Sequence, residues 1–450
     1  MKSIRLLLRF LTVGGLVLLL LIPLMMIRGV VHERQAYRGQ AVARVAQNSA
    51  GAQTFIGPMR VVPWTDTRRV EYTDDKGAVQ HRIERTRGQF LQMPRTLVVE
   101  GDMQPRALKV GLYRVGVYEW HGKLRAAFEP ALPAVPANVE REYGTPYLAF
   151  GMSDVRGLVG MPVLRADGRP LQLLAGTGAL AKRFSGMHAP LPAIAGERVA
   201  GNEVAMDFVL KGTQSLAVAP LADDNRIHLA SAWPHPRFEG YSPRSQLRSD
   251  GFTADWEISS LASNVQAQLQ DGREIADGDA GRAYESAVPR VDTVGVSLVD
   301  PVDIYTKADR ASKYGLLFVV LTFVGFALFE LIKRLPIHPL QYLLVGLALA
   351  IFFLLLLSLS EHIAFLPAYL LAAGACIGLQ FVYLSGVLRS RLRAAGFAAM
   401  LTALYGVLYG LLVSEDNALL MGSLLLFGIL AAIMWITRKV DWYELGASLR

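Results

Sequence analysis

The chain has 450 residues, of which 52% are hydrophobic and 19% charged, and its formal net charge is +8. The apolar residues concentrate at the N-terminus and beyond residue 314, which indicates membrane insertion and excludes an ordinary soluble protein. A positive excess in a membrane protein mainly encodes orientation, and no nucleic-acid-binding pattern is present, so nucleic acid is not expected as a partner. The single cysteine, Cys376, excludes an intrachain disulfide.

The first apolar run covers residues 6–27, with Lys2 and Arg5 before it and Arg9 near its start. About 20 apolar residues suffice to cross a bilayer as a helix, and no small-x-small cleavage site follows, so we expect a retained anchor with its N-terminus inside. Arg28, Arg34 and Arg38 lie on the far side of this run and oppose that orientation. Residues 29–47 have a helical pattern, which predicts that the helix continues beyond the bilayer.

Residues 28–313 differ from the rest of the chain because they alternate apolar and polar residues over strand lengths. Gly, Pro and Asp-Asn clusters separate these runs, which is typical of antiparallel sheets. We therefore predict a large β-rich, sandwich-like periplasmic domain, and a division into two packed subdomains stays open. The alternating runs are TLVVEG from residue 96, ALKVGLYRVGVYEW from 107, EVAMDFVLKG from 203, LAVAPL from 216 and RIHLASAW from 226.

Five more apolar runs follow this domain, so the sequence predicts a multi-pass α-helical membrane protein with six spans, one plus five. Lys and Arg fall only in alternate loops of the bundle, which predicts cytoplasmic N- and C-termini. The first two spans are expected to pack together, since the domain enters and leaves the membrane through them. The later spans cover residues 314–335, 340–358, 363–387, 397–413 and 418–437. The predicted organisation is an anchor at 1–27, a periplasmic domain at 28–313, a bundle at 314–437 and a cytoplasmic tail at 438–450.

No catalytic motif is present, and none of the eight histidines lies three or four residues from another. We therefore predict no enzyme activity, no catalytic residue, no metal site and no cofactor. Asp154 and Arg156 in SDVRGL are expected to form an ion pair. Two GxxxG spacings, Gly374–Gly378 and Gly406–Gly410, suit close helix packing. No charge lies in the middle of a predicted span, and this lack of polar groups argues against a conduit.

Six residues are candidates for a function. In SAWPHPRFEG, prolines fix the backbone on both sides of His235, so the stretch is either a rigid strand-exit turn with Trp233 in the core or a loop presented to a ligand or partner. Glu361 and His362 at the outer end of the third span are acid–base candidates, although such residues more often cap or anchor a helix. His338 and Gln341 lie at its inner end, about 35 Å away along a helix, so the two ends cannot form one site.

Several stretches are distinctive: HPLQYLLVGLALAIFFLLLLSLSEH, DRASKYGLLFVVLTF and VDWY in the membrane part, and LLIPLMMIRGVVHERQAYR, GPMRVVPW, SDVRGL, SAWPHPRF and GFTADW before it. These stretches carry a resemblance to the CreD family of cell-envelope-integrity inner-membrane proteins. It implies a link to envelope stress, β-lactam and colicin tolerance and regulation by a two-component system, with no known catalytic residue.

Two functions remain open, besides a membrane enzyme that would use Glu361 and His362. The first is a non-enzymatic inner-membrane protein that supports envelope integrity and β-lactam tolerance, with the bilayer and periplasmic wall or protein partners as its contacts. The second is a transporter or flippase for a lipid or small molecule. The sequence leaves the oligomeric state open.

Overall fold

The computed structural model describes residues 2–73, 79–194, 198–273, 291–298, 304–333, 338–413 and 418–438. The chain divides into two compact units. Gly39–Pro301 form a β-rich unit, and Met1–Arg38 together with Val302–Arg450 form a helical unit.

Seventeen strands in the described part of the β-rich unit form two sheets. The first sheet contains β1 (Gln53–Thr73), β2 (Val79–Gln92), β5 (Val139–Tyr143), β6 (Tyr147–Met152), β9 (Leu174–Ala175), β10 (Gly186–Pro190), β12 (Ser215–Val218), β14 (Arg237–Glu239) and β17 (Val294–Ser297). The second contains β3 (Thr96–Val110), β4 (Tyr113–Ala127), β7 (Val163–Ala166), β8 (Arg169–Leu171), β11 (Glu203–Thr213), β13 (Asp224–Ser231), β15 (Arg244–Arg248) and β16 (Gly251–Ser259). A short helix, α2 (Val265–Gln270), follows β16.

The strands form where apolar and polar residues alternate. In β11, Val204, Met206 and Phe208 are buried while the residues between them face outward or are half-buried. The five alternating runs contain or overlap strands, as predicted. The run from residue 107 to 120 is folded as the β3–β4 hairpin, and its turn includes Gly111 with φ of +61°, a conformation that favours glycine.

Aromatic side chains join the two sheets. Phe55 of β1 stacks on Phe208 of β11 with ring centroids 5.0 Å apart. It also meets Trp120 of β4 edge to face at 6.2 Å. Because Phe55 belongs to one sheet and its two partners to the other, the sheets pack face to face. The sandwich prediction is therefore confirmed, and in the described residues both sheets contribute to one hydrophobic core.

A buried arginine lies at one side of this core. Arg60 of β1 has no exposed surface. Its Nε donates to Oε1 of Gln92 at 2.9 Å, and its Nη1 donates to Oδ1 of Asn202 at 3.0 Å. Its Nη2 donates to the carbonyl of Glu129, and the guanidinium lies 4.9 Å from the ring centroid of Phe128. Neutral acceptors therefore hold this cation in place of a direct carboxylate partner.

The helical unit contains long apolar helices. They are α1 (Lys2–Asn48, which continues into the β-rich unit), α3 (Ile304–Lys333), α4 (Pro339–Ser360), α5 (Phe365–Val387), α6 (Arg391–Val413) and α7 (Ala418–Thr437). Among the described residues, five helical stretches are long and apolar enough to cross a membrane: Gly14–Asn48, Ile304–Ala327, Pro339–Ser360, Phe365–Val387 and Arg391–Val413. One N-terminal and four C-terminal candidates thus flank the β-rich domain, and the sixth span, at α7, stays a prediction. The extension of α1 beyond residue 27 is confirmed.

Glycines bring α1 close to α3 and α4. A Cβ at Gly346 of α4 would lie 2.1 Å from Cδ1 of Leu20, and one at Gly315 of α3 would lie 3.1 Å from Cδ2 of Leu24. The predicted packing of the first two spans is therefore confirmed. The two GxxxG spacings differ: a Cβ at Gly374 or Gly378 of α5 would meet nothing within 4 Å among the described residues, whereas a Cβ at Gly410 of α6 would lie 3.1 Å from Cε of Met421 on α7.

Candidate functional site

The polar residues at the start of α4 form a helix cap. Nδ1 of His338 accepts from the backbone N–H of Leu340 at 3.2 Å, and Oε1 of Gln341 accepts from the backbone N–H of His338 at 3.1 Å. With Pro339 in the first turn, this is a capping box that satisfies backbone donors at the helix start. The side chains of both candidates, His338 and Gln341, therefore cap the start of α4.

The other end of α4 holds a buried carboxylate. The Glu361 side chain is only 6% exposed, and its Oε1 lies 3.5 Å from Nε of Arg34 and 3.3 Å from the donating hydroxyl of Tyr305. His362 has an exposed side chain, and its backbone N–H donates to the carbonyl of Leu359 at 3.0 Å. Glu361 thus links α1, α3 and α4. His362 does not take part in these contacts.

A second acid continues these contacts one turn along α3. The carboxylate of Asp309 is 16% exposed, with Oδ2 2.7 Å from Nζ of Lys313 and Oδ1 3.6 Å from Nε of Arg28. Two of the three basic residues that opposed the predicted orientation, Arg28 and Arg34, therefore have acidic partners. We call this group the charged collar; it comprises Arg28, Arg34, Tyr305, Asp309, Arg310, Lys313 and Glu361.

Trp233 and His235 lie in a turn after β13, and a hydrogen bond between them stabilises it. The Nε1 of Trp233 donates to the carbonyl of His235 at 2.9 Å, and its indole packs against the sandwich core while remaining partly exposed. The ring of His235 is exposed. The geometry matches a rigid strand exit, and the exposed imidazole is also accessible to a partner. Among the described residues, no group of three or more His, Cys, Asp and Glu side chains could hold a metal ion.

The β-rich unit contains an apolar cavity that no sequence pattern predicted. It has a volume of about 480 Å³ and is bordered by loops around β6, β9 and β10. Met161, Leu174 and Val155 line it while being 78%, 41% and 44% exposed, so they form its open rim. Buried Met152 and Phe184 contribute to its lining. Because these residues come from separate segments without a shared motif, only the fold reveals the cavity.

The SDVRGL stretch clamps the end of α1. The predicted ion pair is confirmed, with Nη2 of Arg156 2.6 Å from Oδ2 of Asp154. Arg156 also donates to the carbonyls of Ala46 and Gln47, which are among the unpaired acceptors at a helix C-terminus. Asp154 in turn accepts from the backbone N–H of Gly51 at 3.1 Å.

The interior of the helical unit contains a polar side chain that the sequence analysis overlooked. Gln380 of α5 is 2% exposed, and its Oε1 and Nε2 have no hydrogen-bond partner among the described residues. The hydroxyl of Tyr405 on α6 is likewise buried without a hydrogen-bond partner there. The expected absence of polar groups inside the bundle was therefore wrong, although these groups carry no charge.

Comparisons with known proteins agree with the membrane architecture. The family model described as "Inner membrane protein CreD" matches residues 5–443. The Inner membrane protein CreD of Escherichia coli (strain K12) is 34% identical over 434 residues, which cover 95% of this chain and 92% of that protein. A match of this length includes both the apolar helices and the β-rich domain between them. The chain therefore belongs to the CreD family of inner membrane proteins.

Proposed function

We propose that the protein is a non-enzymatic inner-membrane protein that supports envelope integrity and tolerance of β-lactams and other envelope stress. Its β-rich domain would lie in the periplasm and bind an apolar envelope component or the apolar segment of a partner protein. The observation that carries this proposal is the open apolar cavity of about 480 Å³. Such a volume lies within the range of roughly 300–1,000 Å³ that is usual for small-molecule sites.

The lining of the cavity favours binding over catalysis. Met152, Met161 and Met187 contribute flexible side chains that adapt to the shape of a ligand. The side-chain hydroxyls in the lining are those of Thr177 and Ser185, and Thr177 Oγ1 already donates to the carbonyl of Phe184 at 2.8 Å. No acid–base pair is part of this lining.

The charged collar supports the proposed periplasmic position of the domain. Arg28 and Arg34 would be unusual on the outer side of the membrane by the positive-inside rule. Their ion pairs with Asp309 and Glu361 offset part of that charge within the protein. The bias of Lys and Arg toward alternate loops therefore remains a consistent orientation signal.

The test places a charge at the rim of the cavity. Met161→Glu and Leu174→Glu, singly and together, would be expressed in a strain that lacks the native copy, and membrane abundance would be checked. We expect β-lactam tolerance to fall toward that of the deletion strain, because a charge disfavours an apolar ligand. Leu261→Glu is the matched control, since Leu261 is 98% exposed and outside the cavity lining. Unchanged tolerance at normal abundance in the double variant would contradict the proposal.

Transport is the second candidate because Gln380 and Tyr405 place unpaired polar atoms inside the bundle. Buried polar groups within spans often mark a pathway. Purified full-length protein in liposomes would separate the two candidates, since lipid or solute movement that Gln380→Leu abolishes would favour transport. Turnover of a wall or lipid substrate by the pure protein, lost on one side-chain change, would instead show an enzyme.

A further inference from the structure

The charged collar has more cations than its carboxylates can neutralise. Its seven residues include four Lys and Arg residues against two carboxylates, and the surrounding segments 28–38 and 304–314 add two further cations and one further acid. The carboxylates of Asp309 and Glu361 are the buried members, at 16% and 6% exposed, and they tie the helices together. Their cationic partners Arg28 and Lys313 remain about half exposed, at 50% and 53%. The net charge presented to the surroundings is therefore positive.

One cationic group of the collar has a buried nitrogen without an acceptor. Nη1 of Arg310 is inaccessible to water and has no hydrogen-bond partner among the described residues. Its neighbour in sequence, Asp309, is engaged with Arg28 and Lys313 instead. Arg310 as a whole is half-buried, and the planar fork of an arginine matches the geometry of a phosphate that reaches its accessible part.

The position of the collar in the sequence identifies the source of that anion. The polar start of α3 ends at Lys313, and the apolar stretch Gly315–Phe326 begins two residues later. On α1, Arg28 directly follows the apolar run that ends at Ile27. Both helices thus pass from apolar to basic at the collar, which is the depth at which a bilayer presents its lipid phosphates.

We propose that the charged collar binds the phosphate of an anionic phospholipid headgroup, with Arg310 and Lys313 as its main cationic contacts. Arg28 and Arg34 contribute further positive charge, while Asp309 and Glu361 hold the cationic helices together. Basic sites between membrane helices are a recognised mode of headgroup binding. The bound headgroup would add negative charge to a group in which the cations outnumber the carboxylates.

The experiment measures lipid binding by full-length protein in a neutral detergent. Short-chain phosphatidylglycerol is titrated against the thermal midpoint of the protein, with phosphatidylcholine, inorganic phosphate and glycerol phosphate as the other probes. We expect phosphatidylglycerol to stabilise the protein at the lowest concentration of the four. Arg310→Gln and Lys313→Gln should each weaken its binding by about fivefold, the factor that corresponds to one surface cation acting on an anionic lipid.

Two control variants test whether the effect on lipid binding is specific to the cations of the charged collar. Arg310→Lys should retain part of the binding, and Arg244→Gln, which removes an 84% exposed arginine of the β-rich unit, should bind like the wild type. If Arg310→Gln does not fold, Lys313→Gln decides, because its half-exposed side chain can be lost without leaving a hole. Equal phosphatidylglycerol affinity in wild type and Lys313→Gln would overturn the proposal. Equal stabilisation by inorganic phosphate would also overturn it, since the anion would then not be a lipid.

Discussion

Arg60 is a buried cation whose environment is almost entirely neutral. Burial lowers its pKa to about 10, and the opposing effect of nearby Asp167 does not restore the ordinary value. Asp167 also accepts backbone hydrogen bonds from Gly201, Asn202 and Glu203 at 2.7 to 2.9 Å, so it shapes the loop that faces Arg60. The guanidinium remains charged at neutral pH and organises carbonyl and amide acceptors around it.

Replacing this arginine should destabilise the β-rich unit. Arg60→Met keeps much of the side-chain volume but leaves several buried acceptors unpaired, at an expected cost of about 2–4 kcal/mol. The thermal midpoint of the purified full-length protein, followed by tryptophan fluorescence, should fall by roughly 5–10 °C. Arg226→Met is the matched control, because the Arg226 side chain is 66% exposed and should be nearly neutral on substitution. Equal midpoints for the two variants would contradict the assigned role.

Asp154 makes the clamp on α1 dependent on pH. Burial would raise the pKa of Asp154, but the hydrogen bonds from the Arg156 side chain and from the Gly51 and Arg156 backbone outweigh it and hold that pKa below its ordinary value. A depressed carboxyl pKa contributes stability that is complete above the unfolded-state pKa of about 3.9 and is lost as the pH falls below it toward the folded-state pKa.

The predicted consequence is a pH-dependent difference between wild type and Asp154→Asn. The wild type should have the higher thermal midpoint at neutral pH, and the gap should narrow as the pH falls below about 4 and Asp154 becomes protonated. Melting of both proteins across this range measures the gap, which cancels the titration of all other carboxylates. A gap that stays constant as the pH falls would show that Asp154 acts without its charge.

At the scale of helices and strands, periodicity predicted the elements themselves. It did not predict which elements pack against one another. The alternating runs became strands because their apolar faces pack onto the opposite sheet. The start of α4 was identifiable from its polar residues, although the capping box of His338 and Gln341 was not foreseen. The GxxxG stretch of α5 shows the limit, because spacing indicates small residues but not which helix will face them. Close contact occurs instead at single glycines, Gly315 and Gly346.

This difference between glycines can be tested directly. Gly346→Leu should disrupt the contact of α4 with Leu20, because a Cβ there would already lie 2.1 Å from that side chain. Overpacking of this kind costs roughly 1–3 kcal/mol, so detergent-solubilised protein should melt earlier. Gly374→Leu is the matched control, since a Cβ at Gly374 meets no described atom within 4 Å. Size-exclusion profiles after heating measure both variants, and greater damage from Gly374→Leu would show that α5 has a close neighbour after all.

For the whole molecule, the sequence identified its two kinds of structure more fully than its sites. The apolar runs and the alternating runs each recur several times along the chain. The fold class that they predict therefore holds even where the boundary of a single element shifts. The charged collar joins Arg34 to Glu361, and the cavity gathers residues from Met152 to Met187 that share no motif. Such contacts form between residues that are far apart in the sequence, and local periodicity does not predict which of them meet. Arg28 and Arg34 are an example, because their acidic partners Asp309 and Glu361 lie far from them in the sequence.

The proposed orientation leads to a labelling prediction for the whole chain. Cys376, the single cysteine, is 5% exposed, so a Cys376→Ala background removes it and allows new thiols to be placed at will. Leu261→Cys, in the β-rich unit, and Leu392→Cys, at the start of α6, each replace a leucine that is at least 84% exposed. Since an exposed thiol is the reactive one, a membrane-impermeant maleimide should label Leu261→Cys in intact spheroplasts.

Leu392→Cys should react only after the membrane is broken, because it lies beside the basic loop between α5 and α6 that the positive-inside rule assigns to the cytoplasm. Labelling of both variants after solubilisation confirms that each thiol is accessible. The reverse pattern in intact spheroplasts would place the β-rich domain in the cytoplasm. It would then remove periplasmic binding from the proposed function, while the membrane architecture and the family would stand. Labelling at the predicted sites would instead direct the search for a ligand of the cavity to the periplasm.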